Sequence, residues 1–172
     1  SGYVGSVTAA CFAELGHEVI CIDIDEERVR QLNDGYPPVW EEGLEELMNK
    51  HVGKRLIATS DYDYAVQNSD VSFICVGTPS SDNGEIDLSI VASASKSLGE
   101  SIASKNAYHT VVVKSTVVPG TTEGVVRSIL EDYSGRKAGD TLGLAMNPEF
   151  LREGRAVHDF LNPDKIVVGS ID

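Results

Sequence analysis

The sequence is short of positive charge. Lys and Arg number 14 against 27 Asp and Glu in 172 residues, a formal net charge of −13. A chain this acidic repels a phosphate backbone, which argues against nucleic-acid binding. A nucleotide gripped by backbone amides stays open, because that mode needs no net positive charge. No apolar run is long enough to cross a bilayer, so no membrane association is expected. The first residues carry no basic stretch followed by an apolar run, the mark of a secretory signal. Cysteine is scarce: Cys11, Cys21 and Cys75 are an odd number, without metal-ligand spacing, each in an apolar segment. They read as buried reduced thiols, and a cytoplasmic location is expected. His17, His51, His109 and His158 include no pair at metal-ligand spacing, so no metal site is expected. With 41% hydrophobic and 24% charged residues, the composition is that of a globular domain with a core. It excludes a disordered chain, a collagen-like repeat and a disulfide mini-protein.

What is present begins at the first residues. SGYVG (1–5) reads as the tail of a G-x-G-x-x-G loop whose first glycine would stand just upstream. An apolar helical pattern follows, with Val4, Val7, Cys11 and Leu15 on one face and Gly16 as its stop. The β-rich run HEVICID then ends in Asp23. In a dinucleotide-binding unit, Gly2 lets the backbone approach the pyrophosphate and Gly5 permits close helix–sheet packing. An acidic residue roughly 20 positions on takes the ribose hydroxyls. Asp23 stands at that distance and favours NAD, since it would repel the 2′-phosphate of NADP. Arg28 has three open uses: accepting a phosphate, stacking on adenine, or pairing with Asp25. The first strand of such a unit, central to its sheet, would also lie upstream. The sequence is therefore expected to be a piece of a longer polypeptide, truncated at both ends.

The rest alternates strands and helices. DEERVRQLNDG predicts a helix capped by Asp25 and stopped by Gly35. YPPVW is extended or turned, because Pro37 and Pro38 block helix. A short acidic helix in EEGLEELMNKH turns Leu44, Leu47 and Met48 inward. LIAT (56–59) is a short strand, and Asp61 is placed to cap DYDYAVQN. VSFICV (71–76) reads as a strand buried on both faces. A polar loop turns at Asp82–Asn83–Gly84. A long helix then carries Val91, Ser95, Leu98 and Ile102 on one stripe. TVVVKS (110–115) is another buried strand. Thr121 or Thr122 is placed to cap a helix with Val125, Val126, Ile129 and Leu130, and SGRKAGD is a solvated loop. TLGLAM (141–146) and KIVVGS (165–170) are the last strands. The order argues for an α/β fold with a doubly wound parallel sheet, lacking its first strand. Residues 1–172 show no internal repeat and no internal domain boundary.

Ligands of such sheets bind outside the carboxyl ends of the strands. Four strand ends here deliver compact polar residues: Asp23 with Asp25 and Arg28, Gly77-Thr78-Pro79, Ser115-Thr116 through Gly120, and Asn147-Pro148-Glu149-Phe150. Loops favour such residues anyway, but recurrence at four ends points to a site. Glu149, after a proline at a strand end, is the best acid–base candidate, able to act as general base on water. Its ordinary alternative is a helix-start glutamate facing the dipole. Thr116 is placed to hold a water or a substrate hydroxyl. Lys114 and His158 read as surface or structural residues.

GYVG, VICIDIDEERV, VGTP, KSTVVPGTT and NPEFLREGRAVHDFLNPDKIVVG, in this order, closely resemble the nucleotide-sugar dehydrogenases of the UDP-glucose/GDP-mannose dehydrogenase family. The likeness covers nearly all of the chain and only the family's N-terminal NAD-binding domain. It implies a Rossmann-like fold, NAD as cofactor, UDP-glucose or a related nucleotide sugar as substrate, and a homodimer at full length. It also implies a two-step oxidation of a C6 alcohol to the carboxylate, with two NAD reduced. A cysteine thiohemiacetal and thioester lie on that path, and water hydrolyses the thioester. By motif position, Glu149 matches the glutamate of the hydrolysis step and Thr116 the threonine near the catalytic water. Phe150, Leu151, Arg152 and Glu153, with Glu149, match the segment along the sugar nucleotide. Gly2, Tyr3, Val4, Asp23, Arg28, Thr78, Pro79, Ser115 and Thr116 match cofactor contacts.

The resemblance also marks departures. The family's catalytic cysteine, lysine, asparagine and aspartate belong to downstream motifs outside this sequence, as do its central dimerising helix and UDP-binding domain. Cys11, Cys21 and Cys75 match none of them, and these 172 residues alone are expected to be inactive. Gly154 and NPDKIVVG favour the UDP-glucose branch over the GDP-mannose and UDP-N-acetylhexosamine branches. A non-catalytic module sensing NAD or a nucleotide sugar is the alternative from another class. A β-hydroxyacid dehydrogenase is the third, and NPEFLREG argues against it.

Overall fold

The computed structural model describes residues 1–80 and 84–171. Asp82 and Asn83 of the expected turn lie outside them. In chain order the elements are α1 (Tyr3–Glu14), β1 (Val19–Ile22), α2 (Glu26–Asn33), α3 (Leu44–His51) and β2 (Leu56–Thr59). There follow α4 (Tyr62–Gln67), β3 (Val71–Ile74), α5 (Ser89–Ala103), β4 (Thr110–Val113), α6 (Arg127–Ser134), β5 (Gly143–Met146), α7 (Ala156–Leu161) and β6 (Gly169–Ile171). The chain divides into two compact units, where the sequence showed no boundary.

The first unit comprises Ser1–Asp61 and Phe150–Ile166. Its α1 is built of small residues, and Ser6 through Cys11 and Ala13 are buried. After Leu15 the chain reverses at Gly16, with φ 102°. The Gly16 N–H donates to Ala13 O at 3.1 Å and the His17 N–H to Phe12 O at 3.0 Å. This paired closure satisfies the last helical carbonyls and needs a glycine at its left-handed position. It also places Leu15 in the cap rather than on the apolar stripe, so Leu15 is exposed, contrary to expectation. β1 and β2 pair in parallel, Val19 opposite Leu56 through Ile22 opposite Thr59. Asp25 caps α2, accepting the N–H groups of Glu27 and Arg28. Leu32, Leu44, Met48 and Leu56 join α1 and Ala156 of α7 in one core.

The second unit comprises Tyr62–Glu149 and the chain from Val167. Its sheet has the order β3-β4-β5-β6. β3, β4 and β5 are parallel, whereas β6 runs antiparallel to β5. The expected doubly wound parallel sheet is thus present, with one antiparallel strand at its end. KIVVGS forms strand only from Gly169 onward. β3 also departs from the sequence reading. It stops at Ile74, and Val71 is exposed at the end of the four-strand order, so burial on both faces does not hold. Cys75 follows the strand and is only half-buried, unlike the buried Cys11 and Cys21. β4 and β5 are buried as expected, and Val91, Ser95, Leu98 and Ile102 line the buried stripe of α5. Neither expected threonine cap forms. A π-helical turn, Thr122–Val126, leads straight into α6, and the Thr121 side chain makes no cap bond. The wider turn shifts the stripe, leaving Val125 exposed and Val126 and Leu130 buried.

Candidate functional site

In the first unit, α1 opens at Gly2 with no side-chain cap and no acidic residue in its first turn. Helix-starting N–H groups without a capping side chain are an anion site with the dipole behind it. A Cβ built on Gly2 meets no atom within 4 Å, so the space a side chain would fill is open for a phosphate oxygen to approach. Tyr3 and Val4 form the first turn above it, both half-buried.

Asp23 directly follows β1 and is 6% exposed. Its carboxylate accepts the Asp25 N–H at 3.0 Å and Arg28 Nη1 at 3.3 Å. Of the three uses open to Arg28, pairing with Asp25 is not the one adopted: the guanidinium pairs with Asp23. An uncapped helix start and an ionised carboxylate at the next strand end form the donor and acceptor set for a dinucleotide's phosphates and ribose. These residues fit NAD.

Phe150–Ile166 belongs to this same unit. Phe150 is half-exposed with the Lys165 ammonium 4.7 Å from its ring centre. Leu151 is half-buried and Glu153 exposed. Arg152 directs Nε and Nη2 at the two oxygens of Asp159, both at 2.8 Å. That paired contact holds Asp159 well below the usual carboxylate range and Arg152 above its own. The chain turns through Arg152–Arg155, closed by Arg155 N–H to Arg152 O at 2.9 Å, with Gly154 at φ 80°. A left-handed third turn position calls for glycine. Gly154 therefore has a backbone reason to be glycine, independent of any sugar.

In the second unit, the ends of β3, β4 and β5 carry the other candidates. Lys114 follows β4 and is 6% exposed, so of the two readings, surface or structural, it is not a surface residue. Its Nζ donates to Asn147 Oδ1 at 3.0 Å, and the Asn147 amide donates to Val167 O at 2.8 Å. Burial pushes the Lys114 ammonium below its usual value, while the neighbouring Cys75 and Glu149 pull the other way. Glu149 is half-buried and Thr116 exposed. The Thr116 carbonyl accepts the Thr78 hydroxyl at 2.8 Å, joining two of the candidate loops, and Pro79 beside it is exposed. The Ser115 hydroxyl is committed to backbone: Val76 O lies at 2.7 Å and Ile74 O at 3.2 Å.

Sequence reasoning missed Glu41, and it gave Lys114 and Asn147 no individual role. Glu41 is 4% exposed yet sits among acidic residues that read as a solvated helix face. Lys114 and Asn147 stand at strand ends already singled out, and strand-end position was the signal that would have found them. Among the described residues, no group of three His, Cys, Asp or Glu side chains is placed to hold a metal ion, and no helix is long and apolar enough to cross a membrane.

Comparison with known proteins gives a consistent result. The model of the UDP-glucose/GDP-mannose dehydrogenase family, NAD binding domain, matches residues 1–172. A UDP-glucose 6-dehydrogenase of Haloferax volcanii is 55% identical over 170 residues, covering 99% of this chain and 39% of that protein. A GDP-mannose 6-dehydrogenase of Pseudomonas aeruginosa is 47% identical over 173 residues, with the same 99% and 39% coverage. The solved ternary complex of GDP-mannose dehydrogenase from that organism superposes with a TM-score of 0.96 at 46% identity, over 99% of this chain and 39% of the other. The chain thus spans well under half the length of these relatives.

Proposed function

The chain belongs to the UDP-glucose/GDP-mannose dehydrogenase family as an NAD-binding domain, and from that premise we propose that its parent protein is a UDP-glucose 6-dehydrogenase. The parent protein oxidises the C6 alcohol of UDP-glucose through the aldehyde level to UDP-glucuronate, as a homodimer. Each sugar passes two hydrides to two NAD, and water supplies the second carboxylate oxygen. The cysteine that carries the acyl group lies outside these residues. Within them, the α1 N-terminus and Asp23 take the cofactor's phosphates and ribose. Thr78, Pro79, Ser115 and Thr116 are assigned to the cofactor, and Phe150–Glu153 to the nucleotide sugar, by their match to the family's motifs. Glu149 takes a proton from the hydrolytic water, with Thr116 orienting that water.

The observation that favours an enzyme over a sensing module is the surroundings of Glu149. The Lys114 ammonium, buried and held by Asn147, lies within the electrostatic reach of the Glu149 carboxylate, a charge arrangement that cofactor binding alone does not require. The greater identity to a UDP-glucose enzyme than to a GDP-mannose enzyme supports the choice of sugar. The full-length protein with saturating NAD, offered UDP-glucose or GDP-mannose, tests the reading. Two NADH per UDP-glucose is the expected result. Preference for GDP-mannose overturns the substrate, and no NADH from either sugar overturns the enzymatic reading.

A further inference from the structure

Glu41 lies in the segment before α3, yet its carboxylate is buried and joins one candidate site residue, Tyr3, to the turn beside the candidate segment Phe150–Glu153. Oε2 accepts the Tyr3 hydroxyl at 2.6 Å and the Gly154 N–H at 2.8 Å, and Oε1 accepts the Ala156 N–H at 3.0 Å. Tyr3 is the first residue of α1, on the turn fitted to the cofactor's phosphates. Gly154 and Ala156 close the turn that follows Phe150–Glu153 and start α7. All of these residues lie in the first unit. A carboxylate accepts from several donors at once, and donors to an ionised acceptor make the stronger class of hydrogen bond. Burial pushes the Glu41 carboxyl up, but these three donors together with the Glu42 N–H outweigh it and hold the carboxyl below its usual value, so the acceptor is an anion at neutral pH.

We infer that Glu41 is a positioning residue that locks the Phe150–Gly154 segment to the first turn of α1, so that cofactor and nucleotide sugar are held in register by one buried carboxylate. The inference rests on the proposed role of Phe150–Glu153 along the nucleotide sugar. Glu41 touches neither ligand in this reading; it acts through Tyr3 and through the two backbone N–H groups. Glutamine has nearly the same shape but presents an NH2 where one oxygen stood. An N–H then faces an N–H, and at least one of the three bonds is lost.

The test uses the full-length enzyme and the variants Glu41→Gln, Glu41→Asp and Tyr3→Phe. KM and kcat for UDP-glucose, KM for NAD, and the thermal midpoint are read together. Glu41→Gln is expected to raise KM for UDP-glucose about tenfold, the size of effect that one lost buried hydrogen bond produces. KM for NAD should rise less. Tyr3→Phe, although it lies at the cofactor end, should raise KM for the sugar in the same direction by a smaller factor. Glu41→Asp, which keeps the anion, should recover part of the loss. A lower thermal midpoint with both KM values unchanged overturns the inference and leaves Glu41 a structural residue. A rise in KM for NAD alone overturns it too. Wild-type enzyme that oxidises no nucleotide sugar defeats the proposed function itself. In that case, nucleotide-sugar affinity of wild type and Glu41→Gln, measured by calorimetry, decides on Glu41: equal affinities overturn it.

Discussion

The Lys114 ammonium lies 3.0 Å from Asn147 Oδ1, linking the residue after β4 to the residue after β5 in a buried polar contact. Burial already opposes the charge on Lys114, so the fold gains little from keeping a cation there. Replacing a buried charge with an apolar side chain of similar length is often neutral for stability. Lys114→Met in the full-length enzyme is therefore expected to keep its thermal midpoint and lose turnover by about tenfold or more. Asn147→Ala should behave differently. It removes an acceptor from a buried ammonium and a donor from Val167 O, and is expected to cost about 1–3 kcal/mol of stability. Chemical denaturation of both variants beside steady-state turnover separates the two effects. Full turnover in Lys114→Met would remove Lys114 from the chemistry.

Glu149→Gln is expected to block hydrolysis while sparing the earlier hydride transfers. General-base assistance is worth roughly 10²- to 10⁴-fold, and steady-state turnover should fall within that range. NADH should still appear as a rapid burst of about one enzyme equivalent or more, followed by a slow phase, because the acyl group stays on the enzyme. Stopped-flow absorbance at the NADH band reads this directly. Loss of the burst together with the steady state would place Glu149 in the hydride-transfer steps instead.

The Asp23–Arg28 pair sets up a cofactor prediction. The Asp23 carboxylate, proposed to accept the ribose hydroxyls, holds Arg28 Nη1 at 3.3 Å. Asp23→Asn removes the charge, weakening the ribose contact and releasing the guanidinium. NAD affinity should fall about tenfold or more, the range for a hydrogen bond to a charged group. NADP should bind no worse, or better, because the repulsion on its 2′-phosphate is gone and a free Arg accepts phosphate. Fluorescence titration with NADH and NADPH measures both. An equal fall for the two cofactors would show that Asp23 supports the fold rather than the ribose.

Local patterns were legible where a single physical rule decided them. Asp25 capped α2 and Gly16 closed α1 because each position has few chemical alternatives. LIAT formed β2 at the expected residues, and the α5 stripe followed helical period. What was not legible depended on partners remote in sequence. Val71 is apolar but stands at the end of its sheet's strand order, which no local pattern reveals. KIVVGS has strand composition, and only its pairing with β5 fixes both its late start and its antiparallel sense. Glu41 reads as one acid among several, and its role exists only once Gly154 and Ala156, more than a hundred positions away, present their N–H groups to it. Lys114 read as surface or structural from its residue type, and only the folded chain shows it buried. The strand-end candidates were found from topology alone, but which of their groups are committed elsewhere, as the Ser115 hydroxyl is, required coordinates.

His109 gives a pH dependence with a definite sign. The ring is fully buried, with Nδ1 3.1 Å from Ser69 O and Nε2 2.9 Å from Ser72 Oγ. A carbonyl only accepts, so Nδ1 carries the proton and Nε2 accepts from the serine, which describes a neutral imidazole. Burial, together with the Lys105 and Arg136 cations, pushes His109 down to about 4, while Ser69 O and Asp70 pull weakly the other way. An unfolded histidine titrates near about 6.5. Between these two values the unfolded chain binds a proton that the folded chain refuses, so stability falls as pH drops through that window and is fully present above it. The loss is on the order of 3 kcal/mol once pH reaches the folded value. His109→Gln keeps a donor and an acceptor but does not titrate. The stability advantage of wild type over this variant should therefore shrink steadily from pH 7 toward pH 4. Hydrogen exchange of the β4 amides in the full-length protein follows it locally, without requiring whole-chain two-state unfolding. An advantage that stays constant across that range would mean that folding does not lower the His109 pKa, and one that grows would mean that the ring is protonated in the fold, with Ser72 as its acceptor.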